Sequence, residues 1–232
     1  MDRYPTLVGK LAHETIRLFH ENEGHKMLDW EEAFKFSETL LDKLIPCYTR
    51  FKTGSQDEEP LDAKTLKART MILLNRYCRS DLSRQQPWMF EAEVNVKFEG
   101  NGLTRPFFIR GFADRVDRDD GGNIRIIDFK TREYSEEAHN GYKRQLALYR
   151  IASARGVLGE SGCLNFADSY IAYLNPKGLD LRQIEPDLTG FEDDAAKVVA
   201  AIRSERNWFP ICSKQCLDCN FSTLCKNSFT AN

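Results

Sequence analysis

The chain has 232 residues, of which 41% are hydrophobic and 29% are charged, and its formal net charge at pH 7 is −2. This length and apolar content allow one large buried core, while the lack of an apolar run of about 18 residues excludes a membrane span. The slight negative charge excludes a protein that holds nucleic acid through bulk basicity, because such affinity comes mainly from Lys and Arg neutralising phosphates.

The first third of the chain is predicted to be helical. Apolar residues recur near every 3.6 positions over 6–23, about 30–46 and about 61–84, and the polar stretch 54–60 is a loop by composition. The first helix carries His13 in V-G-K-L-A-H-E. A lone helical histidine is more often a surface or capping residue than a metal ligand, so His13 needs support from other motifs.

A β-hairpin at 109–131 holds the most informative residues. Asp114 lies on its first strand, and Asp128 and Lys130 end the second. Because side chains alternate with period two, the D-x-K spacing places an acid and a base on one face. Two carboxylates and one ammonium suit a hard divalent cation, Mg²⁺ or Mn²⁺, and a phosphate ester. The preceding strand, 91–98, carries Glu93, which is either a further acidic ligand or an outward-facing residue.

The register of this hairpin has two solutions. A turn at 119–123 places Asp114 opposite Asp128, so that both carboxylates share a face. A two-residue turn at Gly121 and Gly122 shifts the register by one and brings Asp117 to that face instead. Local turn chemistry slightly favours the second solution, and the residues alone leave both open.

Beyond the hairpin, the pattern predicts a helix at about 136–155, paired strands at 169–174 and 179–184, and a helix at 187–203. Gln145 and Tyr149 are four residues apart and therefore project from one helical face. The basic residues of this region predict local phosphate contacts, although each one also fits a solvated helix face. They are Lys143, Arg144, Arg150, Arg155, Arg203 and Arg206.

A cysteine-rich segment follows, in which Cys212, Cys216, Cys219 and Cys225 have the spacing C-x3-C-x2-C-x5-C. This spacing brings thiolates within reach of one metal centre, and four thiolates suit zinc or an iron–sulfur cluster. The fourth ligand is Cys212 in one arrangement, and Cys47 or Cys78 in another. An odd total of seven cysteines and the lack of a secretory signal argue against a disulfide framework and predict an intracellular protein.

Four motifs, in this order, resemble those of the PD-(D/E)XK nuclease superfamily and most closely its RecB-like branch, which includes RecBCD- and AddAB-type nuclease domains and CRISPR adaptation nucleases. They are V-G-K-L-A-H-E, G-F-A-D-R-V-D, I-I-D-F-K-T and Q-L-A-L-Y, and they span about residues 6–226. The resemblance points to Asp114 rather than Asp117. It implies that Asp114, Asp128 and the Phe129 backbone carbonyl hold Mg²⁺ or Mn²⁺.

The same resemblance implies further roles. His13 would complete the metal shell or bind a second ion, and Lys130 would orient the attacking water. Gln145 and Tyr149 would position the DNA strand, with further contacts from the neighbouring Lys143 and Arg144. The implied fold is α/β, a restriction-endonuclease-like core with a mixed central sheet in a helical frame. We predict one nuclease domain over 1–232, divided into a helical part (1–86), the nuclease core (87–206) and the cysteine-rich segment (207–232).

The cysteine pattern agrees with the resemblance only in part. In iron–sulfur relatives, C-x2-C-x5-C supplies three ligands of a [4Fe–4S] cluster, which correspond to Cys216, Cys219 and Cys225. Their fourth ligand comes from a C-P-x-x-Y helix ahead of the histidine, and only twelve residues precede His13 here. The resemblance favours the cluster over zinc, while unligated cysteines remain an alternative.

These features predict a metal-dependent DNA exonuclease that acts on single-stranded or unwound ends in repair or recombination. No P-loop is present, so an ATP-driven helicase would be a partner or a fused domain. One alternative is a catalytically inactive DNA-binding or scaffold module of a helicase–nuclease complex, against which the intact Asp114, Asp128 and Lys130 argue. Another is an adaptor in which the cysteine site is the functional part.

Overall fold

The computed structural model describes residues 4–50, 62–99, 105–159 and 162–206, together with Cys225. Six α-helices and five strands form in these ranges. The helices are α1 (Tyr4–Glu21), α2 (Trp30–Arg50), α3 (Ala63–Cys78), α4 (Glu136–Gly141), α5 (Lys143–Ala154) and α6 (Phe191–Ser204). The strands are β1 (Met89–Phe98), β2 (Phe107–Arg118), β3 (Asn123–Lys130), β4 (Asn165–Asn175) and β5 (Gly178–Gln183).

The strands form one mixed sheet in the order β1-β2-β3-β4-β5. All neighbours are antiparallel except β3 and β4, which run parallel and are joined through α4 and α5. A parallel pair needs such a crossover, because a tight turn cannot return the chain to the same end. The predicted mixed sheet in a helical frame is confirmed.

Apolar cores lie on both sides of the sheet. One core packs α1, α2 and α3 against Ile127 and Phe129 of β3. The other packs α5 against Ile124 and Ile126 of the same strand and against β1. Because β3 is covered on both faces, residues 126–129 are all buried, and Asp128 is a carboxylate placed in this buried run.

The hairpin register is the one that local turn chemistry disfavoured. Asp117 pairs with Arg125 and Arg115 with Ile127, a register that puts Asp114 opposite Asp128. The side chain and backbone of Asp119 both bond the backbone of Asn123, which closes a longer turn than the two glycines alone would make.

Three predicted helices are shorter than expected, and the last of them begins at Phe191 rather than at 187. The third predicted helix ends at Cys78 rather than near 84. The Ser80 hydroxyl donates to the Tyr77 carbonyl and the Ser83 hydroxyl to the Cys78 carbonyl, so these carbonyls are satisfied without a further helical turn. The helix predicted at 136–155 is broken at Tyr142, directly after Gly141, into α4 and α5. Glycine is a weak helix former, which explains the position of the break.

A buried arginine ties β2 to the segment that follows α3. The Arg115 side chain is fully buried and donates to Asp117 (2.7 Å), to the carbonyls of Leu82 (2.7 Å) and Gln85 (3.1 Å), and to the Tyr77 hydroxyl (3.2 Å). These bonds satisfy the guanidinium in a place where an unpaired charge would be very costly. They also hold the β2 backbone directly beside Asp114.

Replacing Arg115 with leucine is expected to lower the free energy of unfolding by about 3 kcal/mol, because buried acceptors lose their donor. Arg125→Leu is the matched control, since Arg125 also pairs with an aspartate, Asp168, but its side chain is 47% exposed. It should cost no more than about 1 kcal/mol. Urea unfolding of both variants measures the difference, and equal losses would contradict the role given to Arg115.

Candidate metal centre

Asp114 is positioned by the end of the β2–β3 ladder. The paired residues run from Arg118 and Ile124 to Arg115 and Ile127. Beyond that point, the Oδ2 atom of Asp114 accepts the Phe129 N–H at 2.7 Å. The Asp114 carboxylate is therefore held by a backbone hydrogen bond to β3, at the residue that follows Asp128.

Asp128, Lys130, Gln145 and Tyr149 form one polar network. The Lys130 ammonium pairs with Asp128, whose side chain is only 2% exposed. Gln145 donates from Nε2 to Asp128 Oδ1 (2.9 Å) and to the Tyr149 hydroxyl (2.8 Å), and its Oε1 lies 3.4 Å from Lys130 Nζ. Tyr149 in turn donates to the Phe112 carbonyl at 2.7 Å. Gln145 and Tyr149 thus project from one face of α5, and Gln145 contacts the acidic site directly.

His13 reaches the site from α1. Its Nδ1 atom lies 3.6 Å from Asp114 Oδ2, and its ring meets the Phe129 ring edge-on at 5.9 Å between centroids. Burial, and then the nearby Lys130 ammonium, lower the pKa of His13 to about 4. The imidazole is therefore neutral at pH 7, which is the form that can bind a metal ion.

Glu91 is a member of the site that the sequence analysis did not single out. One ligand atom from each of His13, Glu91 and Asp114 lies within 4.8 Å of the others. Glu93, the acid considered instead, is exposed and pairs with Phe112 in the β1–β2 ladder. Glu91 has a left-handed backbone with φ of 46°, and such strain in a non-glycine residue is concentrated at functional sites. Strand alternation gives no signal for this conformation.

The acids repel one another in the metal-free site. Burial, and then the charge of Asp128, raise the pKa of Asp114 well above its usual value. Burial also raises the pKa of Asp128, against the lowering effect of Lys130. Within the described residues, Asp128 Oδ2 accepts no hydrogen bond, and its ion-pair partner is the Lys130 ammonium. A cation beside these oxygens would relieve the repulsion, and carboxylate oxygens with one imidazole fit Mg²⁺ or Mn²⁺.

The remaining predicted site residues lie at varied distances from this centre. The Phe129 carbonyl belongs to β3, between Asp128 and Lys130. Arg144 is engaged elsewhere, because it donates to Asp194 at 2.7 Å and to the Thr189 carbonyl at 2.8 Å. Three other basic residues also bond protein groups. Arg150 binds Glu185, Arg155 binds Glu192, and Arg203 binds the carbonyls of Arg105 and Pro106. Lys143 begins α5 and is half-buried.

The predicted cysteine site falls mainly outside the described residues, where Cys212, Cys216 and Cys219 lie. Cys225 is partly exposed and Cys47 is exposed. Cys78 is buried among α1–α3, where burial raises the pKa of its thiol to about 11. Cys78 is therefore the weaker of the two alternatives for a fourth ligand, because a metal needs the thiolate.

The fold and the acidic centre agree with the family comparison. The chain matches the family model of the PD-(D/E)XK nuclease superfamily over residues 2–226. It therefore belongs to that superfamily, as the motifs predicted. No curated protein gives a significant match. Among solved structures, the crystal structure of SSO0001 is similar at 18% identity, covering 97% of this chain and 85% of that chain with a TM-score of 0.38. No helix in the described part of the chain is both long and apolar enough to cross a membrane.

The Asp114→Asn variant is expected to be more stable than wild type when no metal is bound. A raised carboxyl pKa means that the folded state binds protons more tightly, so its stability falls as pH rises above the usual value of 3.8. Removing this charge should raise Tm by about 2–4 °C per kcal/mol of relieved repulsion, and the gain should grow from pH 4 to pH 7. Asparagine can still accept the Phe129 N–H.

Thermal unfolding with EDTA or Mn²⁺ measures this effect. Metal at a hundred times its Kd should stabilise wild type by about 2.7 kcal/mol and the variant far less. Asp168→Asn is the control, because this aspartate is paired with Arg125 and its loss should lower stability slightly. A lower Tm for metal-free Asp114→Asn would show that the acids do not oppose one another.

Proposed function

We propose that this protein is a metal-dependent nuclease that hydrolyses DNA phosphodiester bonds. The observation that carries the proposal is the convergence of Asp114, Asp128 and Lys130, with a neutral His13 beside them. Burial raises the pKa of both carboxyls, and neighbouring buried acids with pKa values raised in this way are typical of functional sites.

In this proposal Asp114, Asp128 and the Phe129 carbonyl hold Mg²⁺ or Mn²⁺, and His13 and Glu91 complete the shell or hold a second ion. When bound, the cation supplies Lewis acidity and lowers the pKa of a water molecule. Lys130 orients the attacking water and stabilises negative charge on the phosphate, since Asp128 and Gln145 fix its ammonium. The product would carry a 5′-phosphate.

We further propose a RecB-like nuclease that removes nucleotides from single-stranded or unwound ends in DNA repair or recombination, fed by a helicase partner or a fused helicase. The ordered motifs that contain His13, Asp114, Asp128 and Gln145 support this assignment. No described element resembles a base-reading helix, which favours sequence-independent action.

Linear and circular single-stranded DNA of one sequence test the proposal. With Mg²⁺ or Mn²⁺, linear DNA should be shortened from an end while the circle persists, and EDTA should protect both. Rapid loss of the circle would contradict exonuclease action, although the protein would still be a nuclease. Intact DNA in both cases, despite binding, would favour the scaffold alternative.

For the cysteine-rich segment we propose a [4Fe–4S] cluster bound by Cys216, Cys219 and Cys225, with Cys212 or Cys47 as the fourth ligand. Such a site would fix the end of the chain to the domain rather than take part in hydrolysis. Freshly purified protein should show a broad brown absorbance band with four iron atoms per chain, where the number follows from the cluster type. A colourless protein that contains zinc would contradict the cluster.

A further inference from the structure

The outer face of β2 carries two exposed aromatic rings on either side of an arginine. Phe108 is 58% exposed and Phe112 is 55% exposed, and Arg110 between them is also exposed. The alternate residues Phe107 and Ala113 are buried in the core under α5. Since side chains alternate across a strand, the three exposed residues lie in one row, which we name the β2 stripe.

The β2 stripe lies on the part of the sheet that the N-terminal helices leave uncovered. Within the described residues, α3 packs on β4 and β5, at the edge of the sheet opposite to β1. Across the ladder, Lys97 of β1 pairs with Phe108, and Asn95 pairs with Arg110. This side of the stripe therefore has a second cation, although Lys97 is paired with Glu99. Glu93, opposite Phe112, is the one acid paired directly with the stripe.

The row leads to the metal centre. Asp114 lies two residues beyond Phe112 on β2, so Phe108 to Asp114 spans roughly 20 Å at about 3.4 Å per residue. The Phe112 carbonyl accepts the Tyr149 hydroxyl, which is bonded to Gln145 and through it to Asp128. The backbone of the stripe is thus part of the network that fixes the acidic site.

Arg110 differs from the other arginines near the site. Arg144, Arg155 and Arg203 bond carboxylates or carbonyls of the protein. Within the described ranges, Arg110 makes neither a hydrogen bond nor an ion pair, so its guanidinium is available to a phosphate.

We propose that the β2 stripe is a track for single-stranded nucleic acid, which runs from Phe108 towards Asp114. Bases stack on Phe108 and Phe112, and Arg110 contacts the intervening phosphate. Aromatic rings interleaved with positive charge bind single strands without sequence preference, because every base has a π-face. A duplex presents no free base faces to such a row. This inference rests on the proposed function in taking single-stranded DNA as the substrate, and it adds the residues that bind the strand and the path that the strand follows.

Fluorescence anisotropy of labelled oligo(dT) tests the track, with an oligonucleotide of about 16 residues, the upper site size of a small binding domain. The protein carries Lys130→Ala so that the DNA stays intact in Mg²⁺. Adding Phe108→Leu and Phe112→Leu should raise Kd at least about tenfold, because the rings are lost while apolar contact remains. Adding Arg110→Ala instead should reduce the salt slope of log Kd by about 0.7, the value for one phosphate contact to a single strand.

Matched controls lie on β5, at the far edge of the sheet. Leu181 is an exposed apolar strand residue, and Arg182 beside it is an exposed strand arginine. Leu181→Ala should leave Kd unchanged, and Arg182→Ala should leave the salt slope unchanged. Circular dichroism of each variant confirms that the fold is retained.

The outcomes separate this inference from the proposed nuclease. The track is overturned if the double phenylalanine variant binds with an unchanged Kd while the chain that retains Lys130 cleaves the same DNA. The nuclease proposal is then unaffected. A raised Kd, when protein with Lys130 cleaves nothing, supports the track and contradicts the nuclease. If the double variant changes from dimer to monomer at unchanged DNA affinity, the stripe is a contact between copies of this chain and the track is overturned.

Discussion

The Lys130→Ala variant is expected to cleave DNA about 10²- to 10⁴-fold more slowly than wild type, the range for loss of one group that moves or orients a proton. The ammonium is held against Asp128 and near Gln145, so its position is fixed before substrate arrives. Single-turnover cleavage of end-labelled DNA in Mg²⁺ measures the loss of the chemical step separately from product release.

Metal binding should survive this substitution, because lysine is not a ligand. Lys130 lowers the pKa of Asp128, so its removal should move the acid limit of Mn²⁺ binding to higher pH. Lys67→Ala is the matched control, since Lys67 pairs with Glu38 and Asp42 away from the site. This variant should cleave DNA at the wild-type rate. A Lys130→Ala rate within a few-fold of wild type would remove Lys130 from the mechanism.

The Asp128→Asn variant should lose both cleavage and metal affinity. A buried carboxylate is replaced by an amide that carries no charge, so Mn²⁺ affinity should fall at least about 100-fold, since second-shell changes alone cost up to that much. Cleavage should fall by about 10³-fold or more, because the cation contributes several kcal/mol to the transition state. Titration calorimetry with Mn²⁺ and the cleavage assay measure the two losses.

The contrast between these variants assigns the roles. Lys130→Ala should bind Mn²⁺ and fail to cut, whereas Asp128→Asn should fail in both. Asp128→Asn protein that binds Mn²⁺ as wild type does would place the metal on His13, Glu91 and Asp114, without Asp128.

The sequence predicted the parts of this site that follow from local periodicity. The D-x-K spacing predicted that Asp128 and Lys130 share one face of a strand. The four-residue spacing of Gln145 and Tyr149 placed both on one face of α5. Each of these relations depends only on the geometry of a single element, so it could be inferred without knowledge of the tertiary fold.

What the sequence could not supply depended on contacts between elements. The hairpin register was open, because the side-chain and backbone bonds of Asp119 to Asn123 outweigh the preference of paired glycines for a shorter turn. Glu91 enters the site through a strained backbone that no alternation pattern shows. The fully buried Arg115 looked like an ordinary charged residue beside Asp114, since three of its four partners lie 30 or more residues away in sequence.

The most direct test of the metal-dependent nuclease is incubation of the wild-type chain with end-labelled single- and double-stranded DNA in Mg²⁺, Mn²⁺ or EDTA, beside Lys130→Ala. The site predicts degradation that requires the cation, is abolished by EDTA and nearly vanishes in the variant. Well-folded protein that cleaves neither DNA with either cation, or cleavage that persists undiminished in Lys130→Ala, would contradict it.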